Sequence, residues 1–124
     1  MPNKKILIVE DDSFLQGLMS RKLKANGYDV FIALSATEGF KVLEGGTIPD
    51  LILLDLLLPN IDGYEFLAKI RENPMLKAVP VIVFSNLSEE KDILKAKNLG
   101  ITDFMIKSNF TLDELLGRIK SVLV

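Results

Sequence analysis

The chain alternates short aliphatic runs with longer stretches in which apolar and polar positions recur at helical spacing. Residues 5–9 (KILIV), 50–54 (DLILL), 80–84 (PVIVF) and 103–106 (DFMI) read as strands buried on both faces, and 28–32 (YDVFI) reads as a weaker fifth. Helical punctuation fills the intervals. The first helix runs from about Ser13 to Asn26 and stops at Gly27, a residue suited to the left-handed turn that ends helices. The second opens on Ser35 and Glu38, a capping box in which hydroxyl and carboxylate satisfy reciprocal backbone N–H groups, and it ends at Gly45 and Gly46. A third starts near Asp62, with Glu65 in its first turn, and is closed by Pro74. A fourth begins at Ser88, where Glu89 and Glu90 favour the helix dipole, and it ends before Gly100. The fifth opens on a second capping box, Thr111 and Glu114, and carries Leu115, Leu116, Ile119, Val122 and Leu123 on one side.

Aliphatic strands alternating with helices imply a parallel sheet covered on both faces, and right-handed crossovers make it doubly wound, with three layers. No linker, low-complexity stretch or repeat interrupts the rhythm, so one domain is expected over residues 1–124, with no output domain following it. A length of 124 residues with 48% hydrophobic content supports one core. Fifteen basic against 17 acidic residues leave a formal charge of −2, which gives no electrostatic footprint for nucleic acid or an anionic membrane surface. The chain has no cysteine and no histidine, which excludes disulfides, thiolate metal sites, cysteine nucleophiles and histidine acid–base chemistry on this chain. The apolar run in MPNKKILIVEDD is too short for a signal peptide or a spanning helix, so a cytoplasmic protein is expected.

In such a sheet the ligand crevice lies at the carboxyl ends of the strands. There the first strand finishes in Glu10-Asp11-Asp12, the third in Asp55, the fourth in Ser85-Asn86 and the fifth in Lys107-Ser108. Asp55 stands inside LILLDLLLP, where a lone buried charge would be costly, so something nearby must want it. Crowded carboxylates either share protons or bind a cation, and hard oxygen ligands without histidine or cysteine suit Mg²⁺. Mg²⁺ bound this way leaves room for a phosphoryl group, for which Lys107 offers a point charge and Ser85 a hydroxyl, with Asp55 as the nucleophile. Taken singly, an acidic pair after a strand is a helix cap and a terminal Ser or Lys is ordinary; four strand ends with complementary chemistry are not.

From Lys4 to about Val122 this set of motifs, with LLLPNIDG after Asp55, resembles the receiver domain of two-component response regulators, particularly single-domain, chemotaxis-regulator-like members. The resemblance implies a flavodoxin-like sheet of strand order 2-1-3-4-5 with five helices. It implies that Asp55 accepts a phosphoryl group from a phosphohistidine on a sensor histidine kinase or phosphotransfer protein. Asp12 matches the direct Mg²⁺ ligand, Asp11 the acid that reaches the metal through water, and the Leu57 backbone carbonyl a further ligand, with Asp55 completing the set. Ser85 and Lys107 match the residues that contact the phosphoryl oxygens, and Ser85 with Phe104 matches a switch that reshapes the face of the fourth helix, fifth strand and fifth helix. A downstream protein target or output domain would read that face, the protein being a monomer or weak dimer and no enzyme beyond assisting its own phosphorylation and dephosphorylation.

Two positions depart from the family pattern. Ser108 stands where proline usually follows the lysine through a cis bond, and a non-proline cis bond costs roughly 2.5 to 4 kcal/mol, so the loop before Thr111 is expected to be strained or rearranged to trans. Asn86 replaces a small residue, and with Leu57 and Leu87 beside the path of an attacking water it is expected to slow loss of the phosphoryl group. Other readings weigh less. A haloacid-dehalogenase-like phosphatase would have an acid where Leu57 stands, and a flavodoxin-like electron carrier would have a phosphate-cradling loop after the first strand. A receiver fragment of a larger regulator, or an interaction module independent of phosphorylation, remains as the alternative.

Overall fold

The computed structural model describes residues 3–124. Strand β1 (Lys5–Val9) leads into helix α1 (Ser13–Ala25), followed by β2 (Asp29–Ala33), α2 (Ala36–Glu44), β3 (Leu51–Leu54), α3 (Gly63–Glu72), β4 (Val81–Ser85), α4 (Glu90–Leu99), β5 (Asp103–Ile106) and α5 (Leu112–Val122). All pairings are parallel, and the strand order is β2-β1-β3-β4-β5. This is the flavodoxin-like, doubly wound arrangement expected from the alternation.

Period-two alternation inside each strand divides the core. Leu7, Val9, Ile52, Leu54, Val81 and Val83 face α2, α3 and α4, whose Ala36, Phe66, Leu67, Ile70 and Ala96 cover them. Ile6, Ile8, Leu51, Leu53, Ile82 and Phe84 face α1 and α5, covered by Met19, Leu23, Leu115 and Ile119. With both faces buried, β1, β3 and β4 have few polar positions to offer, which is why their sequences are nearly unbroken aliphatic runs.

Helix starts follow their caps with two adjustments. Thr111 and Glu114 form the full capping box expected of α5. At α2 the Ser35 hydroxyl accepts from Glu38 N, but the Glu38 carboxylate reaches Leu34 N instead of Ser35 N, so the box is only half reciprocal. Helix α4 begins one residue later than expected: Glu89 is the cap residue, no side chain caps it, and Ser88 takes no part. Gly100 ends α4 at φ +95°, a left-handed conformation that strains other residues.

No cis peptide bond occurs among the described residues, so Lys107-Ser108 is trans. Lys107–Asn109 forms a short 3-10 turn between β5 and α5. Of the two outcomes expected at Ser108, the chain takes the rearranged one. No helix among the described residues is long and apolar enough to cross a membrane.

Candidate functional site

Register decides which side chains meet at the carboxyl edge. Val9 of β1 pairs with Leu54 of β3, and Asp55 N donates to Val9 O (3.0 Å), so Glu10 and Asp55 are the next residues of two neighbouring strands. In parallel strands in phase, such neighbours present their side chains to the same side. Both are buried, Glu10 being 2% and Asp55 4% exposed.

Lys107, delivered by the end of β5, joins them. Its Nζ lies 2.7 Å from Asp55 Oδ2 and 2.7 Å from Glu10 Oε1. Glu10 also accepts from Asp12 N (3.1 Å), and Asp55 Oδ1 accepts from Leu57 N (3.0 Å), an Asx turn that fixes the carboxylate and turns the chain out of the sheet. The charge in the aliphatic run is thus held by an ammonium and a backbone N–H. Burial raises the Glu10 carboxyl from 4.5 to about 7; Lys107 opposes the rise and the Asp55 charge adds to it. Burial works to lower the Lys107 ammonium, but its hydrogen bonds to Asp55 and Glu10 prevail and raise it. Two acids and one ammonium in a nearly dry pocket make the second negative charge costly, which is why burial and the Asp55 charge push Glu10 upward.

Asp11 is exposed beside the pair, and one carboxylate oxygen from each of Glu10, Asp11 and Asp55 lies within 4.8 Å of the others. An all-carboxylate oxygen set fits a small hard cation such as Mg²⁺. Asp12 does not belong to this set. Its Oδ1 accepts from Phe14 N and Leu15 N (3.0 Å each) and caps α1, so the acids whose oxygens gather with Asp55 are Glu10 and Asp11 rather than the expected Asp11 and Asp12.

Ser85 is fully buried at the end of β4, its hydroxyl accepting a long hydrogen bond from Leu87 N (3.4 Å). Phe104, half buried on β5, packs against the core layer shared with α3 and α4. Asn86 and Leu57 are exposed at the rim, Leu57 at 50%. At the back of the site Gly63 opens α3 in contact with the chain leaving β3: a Cβ there would lie 2.5 Å from Leu56 Cα and 2.7 Å from Asp55 O. A buried carboxylate and ammonium, a buried hydroxyl at the next strand end and an acid pair with the chemistry to hold a cation are groups suited to a phosphoryl oxyanion.

The response regulator receiver domain family model matches residues 6–120. Among curated proteins, the alkaline phosphatase synthesis transcriptional regulatory protein PhoP of Bacillus subtilis is 36% identical over 98% of this chain and 49% of its own length. The KDP operon transcriptional regulatory protein KdpE of Escherichia coli is 40% identical over 95% of this chain and 50% of its own. The chain therefore spans about half the length of these relatives. Among solved structures, a CheY-like response regulator receiver domain protein from Methanospirillum hungatei superposes with a TM-score of 0.88 at 28% identity, covering 96% of this chain and 92% of that one.

Proposed function

The chain belongs to the response regulator receiver domain family, phosphoacceptor signalling modules of two-component systems, and on that footing we propose that Asp55 is its acceptor residue. The observation that carries this reading is the buried Asp55 carboxylate at the open edge of the central strand, 2.7 Å from Lys107. An Asp55 oxygen attacks phosphorus on a partner's phosphohistidine; the O–P bond forms as the P–N bond breaks, and the electron pair leaves with the imidazole nitrogen. Lys107 and Ser85 meet the transferred oxygens.

Glu10, Asp11, Asp55 and the Leu57 carbonyl would hold Mg²⁺, which when bound neutralises charge on the transferring group. Phosphorylation adds charge and acceptor oxygens, Ser85 moves toward them, and Phe104 turns into the space it leaves, reshaping the face of α4, β5 and α5 for a target or output domain. A partner that prefers the reshaped face stabilises the phosphorylated state by linkage. A sensor histidine kinase as donor and a cytoplasmic location belong to the same reading.

The test is intact mass after incubation with acetyl phosphate, with and without Mg²⁺. A metal-dependent gain of one phosphoryl group is expected; no gain, under conditions that label a known receiver, would leave a phosphorylation-independent interaction module as the better reading. Because Glu10 stays protonated up to about pH 7 and a metal ligand must be deprotonated, Mg²⁺ affinity should weaken as pH falls below 7. Calorimetric titration should show it roughly tenfold weaker per pH unit in that range; an affinity unchanged between pH 8 and 6 would remove Glu10 from the site. Asn86→Ala should shorten the phosphoryl half-life, measured by loss of the mass shift after acetyl phosphate is removed, and an unaltered half-life would clear Asn86 of any shielding role.

A further inference from the structure

Helix α4 is held more by polar ties than by burial. It fully buries one residue, Ala96, and no side chain caps its start. Two residues of α3, two turns apart on one side of that helix, bracket it. At the near end the Tyr64 hydroxyl donates to Asp92 O (3.1 Å) in the first turn of α4, and Lys95 Nζ lies 4.2 Å above the Tyr64 ring. At the far end Arg71 Nε donates to Gly100 O (2.7 Å), while its guanidinium also donates to Lys77 O (3.0 Å) and Val79 O (2.8 Å) in the connection to β4.

The near tie sits one residue from Gly63, whose backbone lies against Asp55 O and Leu56 Cα and whose N–H donates to Leu56 O (3.1 Å). There is no slack at that contact, so a displacement of the chain beside Asp55 must pass into the first turn of α3. The far tie is anchored to the opposite end of α3 and to the approach to β4, away from Asp55.

We propose that Tyr64 is a latch holding the first turn of α4 to α3 while Asp55 is unmodified, and that phosphorylation releases it by shifting the Gly63 end of α3. Arg71 is the hinge of the same device, keeping the last turn of α4 in place in both states. This rests on the reading of Asp55 as the acceptor and adds a route to α4 separate from Ser85 and Phe104. Tyr64 is a positioning residue: its effect depends on the state of a carboxylate it does not touch.

The test is amide hydrogen exchange, followed along α4, on the native chain, Tyr64→Phe and Arg71→Met, each with and without acetyl phosphate and Mg²⁺. Tyr64→Phe keeps the ring and its cation contact and removes one hydrogen bond, so exchange in the first turn of α4 should rise about two- to tenfold without acetyl phosphate. Phosphorylation of the native chain should produce the same rise, and phosphorylation of Tyr64→Phe should add little. Arg71→Met should speed exchange at the last turn of α4 equally in both states. Equal exchange in native and Tyr64→Phe without acetyl phosphate overturns the latch, as does a phosphorylated native chain whose first turn of α4 stays protected. The native mass is read in parallel: no phosphoryl gain overturns the acceptor reading and the proposed release with it, whereas a gain without release overturns the latch alone.

Discussion

Asp55→Asn is expected to abolish the Mg²⁺-dependent phosphoryl gain proposed for Asp55 and to leave the protein folded. Asparagine keeps the shape and the acceptor oxygen that faces Leu57 N, but it is not a nucleophile at neutral pH. Truncating one member of a buried ion pair usually strands the other charge, at a cost of several kcal/mol. Here the stranding does not occur. Lys107 bridges Asp55 and Glu10 at 2.7 Å each, so removing the Asp55 charge leaves one ammonium facing one carboxylate. The repulsion by which Asp55 pushes Glu10 upward also disappears, and Glu10 should titrate nearer its ordinary range. Thermal unfolding at neutral pH should therefore find the variant no less stable than the native chain. Phosphoryl uptake persisting in Asp55→Asn would place the acceptor elsewhere; loss of uptake accompanied by unfolding would show that the Glu10–Lys107 pair cannot stand alone.

Gly63→Ala should be the most damaging small substitution near the site. In most helices alanine is the better residue, by about 1 kcal/mol over glycine. At Gly63 the added methyl would meet Leu56 Cα at 2.5 Å and Asp55 O at 2.7 Å, both main-chain atoms that cannot rotate aside. Either α3 withdraws from the sheet or the end of β3 is displaced, and overpacking of this kind costs about 2 kcal/mol. The melting temperature should fall by roughly 8 °C for a domain of this size, and phosphorylation by acetyl phosphate should slow because Asp55 moves from Lys107. Gly39, where a Cβ would meet side chains alone, the Phe66 ring at 2.8 Å and Val9 Cγ2 at 3.4 Å, is the comparison: some strain is expected there too, but less than against main chain. A Gly63→Ala variant as stable as the native chain would show that α3 can move away freely, which would also weaken the coupling argued for Tyr64.

The sheet was legible in the sequence because burial on both faces leaves β1, β3 and β4 few polar positions, and Asp55 was legible because it breaks such a run. Asp55, Ser85 and Lys107 lie at the strand ends where the sequence placed them, and Lys107 meets Asp55 directly. Of the three acids after β1, Glu10 and Asp11 gather with Asp55 while Asp12 caps α1, a division the sequence did not show. Three acids in a row give no local sign of which one caps the helix, and the answer lies in register: Val9 pairs with Leu54, which makes Glu10 the neighbour of Asp55. Counting the pleat outward from that pair would have found it. The start of α4 was misread because Ser88 is a good cap by type, yet the helix begins past it. The ties from Tyr64 and Arg71 to α4 left no trace in the pattern, since each ends on a backbone carbonyl and a carbonyl has no signature in sequence.

The site draws on residues 10, 55 and 107, and its ammonium comes from the residue just past β5, the edge strand that is last in sequence to join the sheet. Parallel pairing over such separations pays loop-closure entropy before any contact rewards it. Until β5 docks, the edge that carries Glu10 and Asp55 lacks the lysine that balances them. On the reading of Asp55 as the acceptor, a chain without a docked β5 is expected to take up no phosphoryl group. Phosphoryl uptake would then report a completed sheet, by topology and without any separate checkpoint.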